Sequence, residues 1–226
     1  GTSYEIRTAR RGLGGLRTVE RSVVTSPGSS ASYASKGLGG SRNAARRMGG
    51  AAARSGVLFG ALDGLSDGTF DLTQLGFDSA GLAGRSAREI IDRVARFVSP
   101  SDGTQDAESS QRAVNAALSD LLENDQTVDI TSLTEQQIDW VLERHVAYEI
   151  VQRIELDVGK AIVDNAPSAA AAIDRLNEMR DYVEATVAAA FRSHRRTNRL
   201  VDASAATRLA RTVMQETFGV FEEYLG

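Results

Sequence analysis

The sequence predicts an all-α protein, a helical bundle of about six or seven helices behind a basic N-terminal arm. From about residue 41 onward, apolar residues recur every three or four positions, as on the buried face of a helix, and no convincing strand alternation interrupts them. The first forty or so residues are instead rich in Gly, Ser and Arg and lack any apolar period. We therefore divide the chain into an arm at residues 1–40 and an α-helical bundle domain at residues 41–226.

The arm is expected to be flexible on its own, because it has too little apolar surface to offset the entropy lost on ordering. It is also basic. Residues 1–54 contain ten Lys and Arg against two Glu, a net charge of +8, and the whole chain carries −4, so the remaining 172 residues sum to −12. A basic arm on an acidic body can fold back on the body, bind nucleic acid, or enter an acidic cleft of a partner.

The first helix of the domain opens near Ser41 or Asn43, either of which can cap it. Its apolar positions continue to Leu65, but four glycines interrupt it, at Gly49, Gly50, Gly56 and Gly60. Each glycine costs up to about 1 kcal/mol relative to alanine in a helix. Glycines at this density indicate close packing against another helix first, and docking of a partner second.

The other helices are predicted from capping signals and helix breakers. A short helix is predicted at 69–75, followed by a helix capped by Ser86 and ended by Pro100 and by another at about 106–123. A long helix then extends to about Val163, and it begins with a capping box either at Ser132 and Glu135 or at Thr134 and Gln137. Pro167 and Ser168 start the next helix, and Ser204 opens the last one.

The residue inventory argues against an enzyme. The chain has no cysteine, which excludes disulfides and thiolate sites, and only two histidines, His145 and His194, which excludes a His-rich metal site. His145 and Glu149 stand one helical turn apart and can form a proton-transfer or metal site, but their charged neighbours favour a structural role. No nucleophile, base and orienting group can be assembled. We predict no catalytic residue, no metal and no cofactor.

Charged stretches near the helix ends have more than one interpretation. The basic run at the end of the helix after Pro167 suits a helix C-terminus and can also contact phosphates; its members are Arg192, His194, Arg195, Arg196 and Arg199. Capping is favoured because no aromatic residues are interleaved with it. Three C-terminal carboxylates, Glu216, Glu222 and Glu223, can bind a cation, but a solvated face is favoured. Arg46 and Arg47 can pair with carboxylates of a partner or form internal salt bridges, and both alternatives stay open.

No run approaches the roughly 18 apolar residues of a membrane-spanning helix. The N-terminus has no apolar stretch of the kind found in secretory signals. We therefore expect a cytoplasmic protein without membrane contact.

The decamer Gly40-Ser-Arg-Asn-Ala-Ala-Arg-Arg-Met-Gly49 resembles a signature of the QatB family, the B component of the Qat anti-phage defence systems of bacteria. The opening Gly1-Thr2-Ser3, the turn at residues 99–103 and the segment at 150–159 are also similar to that family. Qat systems encode an ATPase, the B component, a QueC-like enzyme (QatC-like) and a TatD-like nuclease. QueC-type enzymes use ATP to activate the carboxylate of a deazaguanine and join it to an amine.

The resemblance implies that Gly1 is the acceptor amine, and that the chain is a non-enzymatic substrate protein docked on the QueC-like enzyme. It also implies partner contacts near Thr2 and Ser3 and in the segment Arg46, Arg47, Met48 and Gly49. The plainer alternative for Gly1 is the residue left when an initiator methionine or a tag is removed. The alternative function is a nucleic-acid-binding helical adaptor that uses the basic arm and the run from Arg192 to Arg199.

Overall fold

The computed structural model describes residues 47–77, 81–82, 84–196, 200 and 202–225, and their side chains except at 158, 161 and 220–225. Within these ranges the fold is all-α, as the sequence predicts. The elements are α1 (Gly49–Asp67), a 3₁₀ turn (Leu72–Leu75), α2 (Ala87–Val98), α3 (Gln105–Asn124), α4 (Glu135–Asp164), α5 (Ala169–Arg195) and α6 (Ala203–Leu225). The predicted arm and the boundary near residue 41 lie outside the described residues.

The long helix α4 is the centre of the bundle. It packs against α1, α3 and α5, while α6 lies mainly along α1 and α5. Its apolar stripe, which includes Val141, Leu142, Val146 and Ile150, is fully or almost fully buried in a single core. Removing this stripe from water supplies the main driving force for bundle formation.

Arg144 ties three helices together at one side of this core. Its Nε and Nη2 donate to Asp120 Oδ2 on α3 at 3.1 and 2.8 Å, and its Nη1 donates to Glu184 Oε2 on α5 at 2.6 Å. The guanidinium also lies over the rings of Trp140 and Tyr148, 5.9 and 5.0 Å from their centroids. A planar, multiply bonded guanidinium fixes the relative positions of α3, α4 and α5 more tightly than an ammonium can.

Several predicted caps are confirmed. Ser86 Oγ accepts from the Glu89 amide at 3.2 Å at the start of α2. The box at Thr134 and Gln137 is the one that forms before α4, with Thr134 N donating to Gln137 Oε1 at 2.8 Å and Gln137 N donating to Thr134 Oγ1 at 3.3 Å. Ser168 caps α5, accepting from the Ala171 amide at 3.2 Å.

Other element boundaries differ from the prediction. The cap of α6 is Asp202, whose Oδ1 accepts from the Ala205 amide at 2.7 Å, so Ser204 lies inside the helix rather than opening it. A carboxylate is a stronger acceptor than a hydroxyl, and it also favours the helix N-terminus electrostatically. The short helix predicted at 69–75 is a 3₁₀ turn limited to Leu72–Leu75. The candidate caps Ser41 and Asn43 lie outside the described residues.

Five turns share one local device, an Asp-x-Thr triplet. In each, the Asp Oδ1 accepts from both the amide and the hydroxyl of the Thr two residues later; the pairs are Asp67 and Thr69, Asp71 and Thr73, Asp102 and Thr104, Asp125 and Thr127, and Asp129 and Thr131. The hydroxyl bond in particular lowers the pKa of each of these carboxyls. Such turns satisfy backbone donors locally where the helices end.

Among the helices of the described ranges, none is long and apolar enough to cross a lipid bilayer.

Candidate functional site

The described chain begins where the sequence predicts partner contact. Arg47 is exposed, Met48 is buried in the core, and Gly49 is half-buried. The structure therefore presents Arg47 and the backbone of Gly49 at the start of α1, while Met48 holds this end of the helix on the bundle. Gly1, Thr2, Ser3 and Arg46 lie outside the described residues.

The glycines at the start of α1 leave open space. A Cβ added at Gly49 would meet no described atom within 4 Å. One added at Gly50 would meet only the guanidinium of Arg54, with Nη1 at 3.6 Å. Neither glycine is required by packing inside the described bundle. An approaching partner backbone can use this space.

Gly56, one and a half turns further along α1, has the opposite role. An added Cβ would stand 2.5 Å from the Ala203 carbonyl oxygen of α6 and closer still to Thr207 Oγ1. At Gly60 the nearest atom would be the Cβ of Ala203, at 3.7 Å. The interpretation of close helix packing is confirmed at Gly56, where α1 and α6 meet almost backbone to backbone.

A buried polar cluster lies beside this end of α1, formed by Arg54, Ser110, His145 and Glu149. Arg54 Nη1 donates to Ser110 Oγ at 2.9 Å, and Ser110 in turn donates to Glu149 Oε1. His145 Nε2 lies 3.9 Å from the same carboxylate oxygen. The cluster joins α1, α3 and α4.

Burial controls the protonation of the cluster. It raises the pKa of Glu149 to about 7, against the lowering effects of the Ser110 hydrogen bond and the Arg54 charge. It lowers the pKa of His145 to about 3, and the positive charge of Arg54 acts in the same direction. Neither ring nitrogen of His145 has a hydrogen-bond partner among the described residues. His145 is thus a neutral imidazole inside the core.

This arrangement suits a structural element better than a catalytic one. A carboxyl with a pKa near 7 can exchange protons, but the His145 side chain is fully enclosed and that of Glu149 almost so. A general base must come within hydrogen-bond reach of its substrate. In the described ranges, no group of three or more metal-ligating side chains converges either.

Two members of the basic run at the end of α5, His194 and Arg195, form ion pairs inside the fold. Arg195 donates to Asp139 Oδ2 at 2.8 and 2.5 Å and approaches Glu135 at 3.3 Å, both at the start of α4. His194 Nε2 lies 3.0 Å from Glu216 Oε1 on α6. These ion pairs join the end of α5 to α4 and α6, and they bear on neither the capping interpretation nor the phosphate one.

The remaining members of the charged stretches add little to a site. Arg192 and Arg196 are exposed. Arg199 and the side chains of Glu222 and Glu223 lie outside the described part of the chain. Glu216 is engaged with His194, so the C-terminal carboxylates form no described cation site.

Arg54 and Ser110 are functional neighbours of Glu149 that no motif in the sequence identifies. A signal for Ser110 was present, because it occupies a position in the apolar stripe of α3 that continues through Ala113, Val114 and Ala117. A hydroxyl on such a stripe needs a buried partner. Nothing local indicates that the partner is Glu149, thirty-nine residues away.

A family model described as "Qat anti-phage system associated protein QatB" matches residues 39–221. The chain belongs to the QatB family. The match spans α1 to α5 and most of α6, and it includes the decamer segment from Arg46 to Gly49. No curated protein and no solved structure matches the chain. As a member of the QatB family, the protein is a component of the Qat anti-phage system.

Proposed function

We propose that this QatB protein docks on the QueC-like enzyme of its system and presents an N-terminal glycine amine for ATP-dependent attachment of a deazaguanine. The observation that carries the proposal is the family match over residues 39–221. The enclosed His145 and Glu149 pair supports a non-enzymatic role, because the most strongly perturbed acid and base of the described body have no route to a substrate. The Qat ATPase and TatD-like nuclease are further partners in this proposal.

The proposed chemistry is acyl transfer to nitrogen. The enzyme activates the deazaguanine carboxylate with ATP, and the neutral amine attacks the activated carbonyl carbon. An amide bond forms, the activating group leaves with the electron pair of its bond to carbon, and the amine proton passes to solvent. An α-amine has a pKa near 8, against about 10.4 for a lysine, so it supplies far more neutral nucleophile at cellular pH.

In this proposal the start of α1 is part of the docking surface. The guanidinium of Arg47 suits a carboxylate of the enzyme, and the open space over Gly49 and Gly50 admits its backbone. Met48 acts indirectly, because its buried side chain keeps the first turn of α1 in place. Arg46, Thr2 and Ser3 complete the proposed contact on the side of the N-terminal arm.

The modification is tested by co-expressing the protein with the QueC-like enzyme and measuring the intact mass and the N-terminal peptide. We expect a mass increase of one deazaguanine acyl group, confined to Gly1. The only lysines are Lys36 and Lys160, so a Lys36→Arg, Lys160→Arg variant provides the control and should still be modified. If the N-terminus stayed unmodified in the presence of active enzyme, the proposed modification of Gly1 would be wrong.

Docking is tested separately, by binding of purified full-length variants to the QueC-like enzyme. Gly50→Leu should weaken binding by about tenfold or more, equivalent to about 1.4 kcal/mol, because it fills the open space. Ala185→Leu is the matched control, since Ala185 is an exposed alanine on α5, a helix that does not contact α1 in the described bundle. Equal affinities for the two variants would remove the start of α1 from the interface.

A further inference from the structure

The α4–α5 hairpin extends beyond the other described helices of the bundle. Asp106 Oδ1, in the first turn of α3, lies 3.9 Å from Arg153 Nη1 of α4. At a rise of 1.5 Å per residue, α4 continues for about 16 Å from Arg153 to its last residue, Asp164. There α4 is accompanied by α5, with Arg180 Nε and Nη2 donating to Glu155 Oε1 at 2.8 and 2.6 Å. We call residues 155–182 the hairpin tip. Of its described side chains, only Ala172 is buried.

The hairpin tip carries most of the large apolar side chains that are exposed in the described ranges. Leu156, Val163 and Ile173 are 53, 52 and 59% exposed, and the only other large hydrophobic residue so exposed in the described ranges is Val57, at 40%. Leu156 and Val163 stand two turns apart on one face of α4. Isolated exposed apolar residues need no explanation, but their concentration on one projection indicates a surface that another segment covers.

The same tip has an unpaired acidic face. Asp174, Glu178 and Asp181 are exposed and spaced four and three residues apart on one side of α5. None of them forms an ion pair with the described part of the chain. Six carboxylates against Lys160, Arg175 and Arg180 give the tip a net charge of −3. Like charges at this spacing repel each other, so a cationic segment laid along them is favoured.

The chain itself supplies such a segment. Residues 1–46 contain eight Lys and Arg against two Glu, a net charge of +6, and they include apolar residues such as Ile6, Leu13 and Leu16. Among possible occupants of the tip, this one has charge complementarity visible in the sequence.

The segment also joins the body near the tip. Near the end of α1, Ser66 Oγ accepts a hydrogen bond at 3.0 Å from the amide of Leu133, just before α4. Nearer the start of α1, Arg54 is linked through Ser110 to Glu149, further along α4. The two helices therefore run in opposite directions, and the start of α1 points toward the base of the hairpin tip. At about 3.3–3.6 Å per extended residue, a handful of residues can span its 16 Å length.

We propose that the hairpin tip binds the protein's own residues 1–46. Arginines of that segment lie along Asp174, Glu178 and Asp181, and its aliphatic residues cover Ile173, which is exposed on the same helix. The N-terminal segment is thereby held on the body until a partner displaces it. This interaction does not depend on the proposed modification, so either can fail without the other.

The absence of cysteine permits a direct test on the full chain. A nitroxide is attached to Asn177→Cys, on the exposed face of the tip, or to Ser132→Cys, before the opposite end of α4. Broadening of the amide NMR signals of residues 1–46 is then measured. We expect loss of their intensity with the label at 177, little change with the label at 132, and recovery at high salt. Equal effects of both labels, or no effect of either, would overturn the proposal.

A charge-matched pair of variants tests the acidic face in the same measurement. Asp174→Asn, Glu178→Gln, Asp181→Asn should abolish the broadening from position 177. Asp63→Asn, Glu108→Gln, Glu123→Gln removes three exposed carboxylates elsewhere and should leave it intact. Persistence of the broadening in the first variant contradicts the proposal. In a mixture of spin-labelled and isotope-labelled molecules, broadening would show that the segment of one copy occupies the tip of another, and this result would also contradict the proposal.

Discussion

Glu149 Oε1 lies 3.9 Å from His145 Nε2 inside the core, yet the two residues do not form a conventional ion pair. Burial raises the pKa of Glu149 to about 7 and lowers that of His145 to about 3, so each group resists its charged form. Glu149 keeps two compensating contacts, the Ser110 hydroxyl and the nearby Arg54 charge, whereas His145 has none among the described residues. Because the two pKa values are shifted in opposite directions, the effect of each residue on the free energy of unfolding should change with pH in the opposite sense.

Glu149→Gln should gain stability relative to the parent as the pH rises. The folded pKa of Glu149 is above its ordinary 4.5, so its contribution to stability is present below pH 4.5 and is lost as the pH rises toward 7. Glutamine keeps an acceptor for Ser110 and carries no charge. We expect the free energy of unfolding of the variant to improve on the parent by about 3 kcal/mol between pH 4.5 and 8. Urea unfolding across that range measures it.

The control for this variant is Glu123→Gln, which removes an exposed carboxylate without an ion-pair partner in the described chain. Its stability difference from the parent should show no comparable rise with pH. A difference for Glu149→Gln that is constant across the range would mean that burial does not set the pKa of this carboxyl.

His145→Leu should show the reverse trend. The folded pKa of His145 is below its ordinary 6.5, so the unfolded chain gains a proton that the folded chain cannot accept as the pH falls below 6.5. At pH 5 this costs the parent about 2 kcal/mol, which leucine avoids. The stability advantage of the variant should therefore be larger at pH 5 than at pH 8 in chemical denaturation. An advantage that shrank on acidification would contradict a neutral buried imidazole.

Two identical substitutions on α1 should have opposite effects. Gly50→Ala gains helix propensity, up to about 1 kcal/mol, because an added Cβ would meet only the Arg54 guanidinium, with Nη1 at an ordinary contact distance of 3.6 Å. Gly56→Ala should instead cost about 1–3 kcal/mol, because its Cβ would collide with the Ala203 carbonyl and Thr207. The denaturant midpoints of the two variants, compared with that of the parent, measure these changes in stability. A stable Gly56→Ala variant would show that α1 and α6 are not held in close contact.

The start of α6 provides a test of capping. Asp202→Ala should reduce the free energy of unfolding by about 1 kcal/mol, because the Ala205 amide loses its side-chain acceptor. Ser204→Ala, two residues later and already inside the helix, should change it by less than about 0.5 kcal/mol. Thermal unfolding of the pair is sufficient. If Ser204→Ala lost more stability than Asp202→Ala, the serine and not the aspartate would be the cap of α6.

Local patterns predicted the helices well where the deciding contacts are local. The Thr134 and Gln137 box and the Ser86 cap each involve residues three apart, and both formed as predicted. Asp202 lies two residues before Ser204, and both are acceptable caps, so sequence preference alone could not choose between them. The five Asp-x-Thr turns are equally local, because each joins residues two positions apart.

The sequence by itself determined the all-α class, the long central helix, the lack of cysteine and the resemblance that the family match supports. Only the tertiary structure decided that Gly56 is packed while Gly50 is open, that Ser110 bonds to Glu149, and that the hairpin tip projects from the bundle. Helix period and caps arise from residues three or four apart and can be read along the chain. Which faces meet depends on residues tens to more than a hundred positions apart, and that relation exists only once the helices have packed.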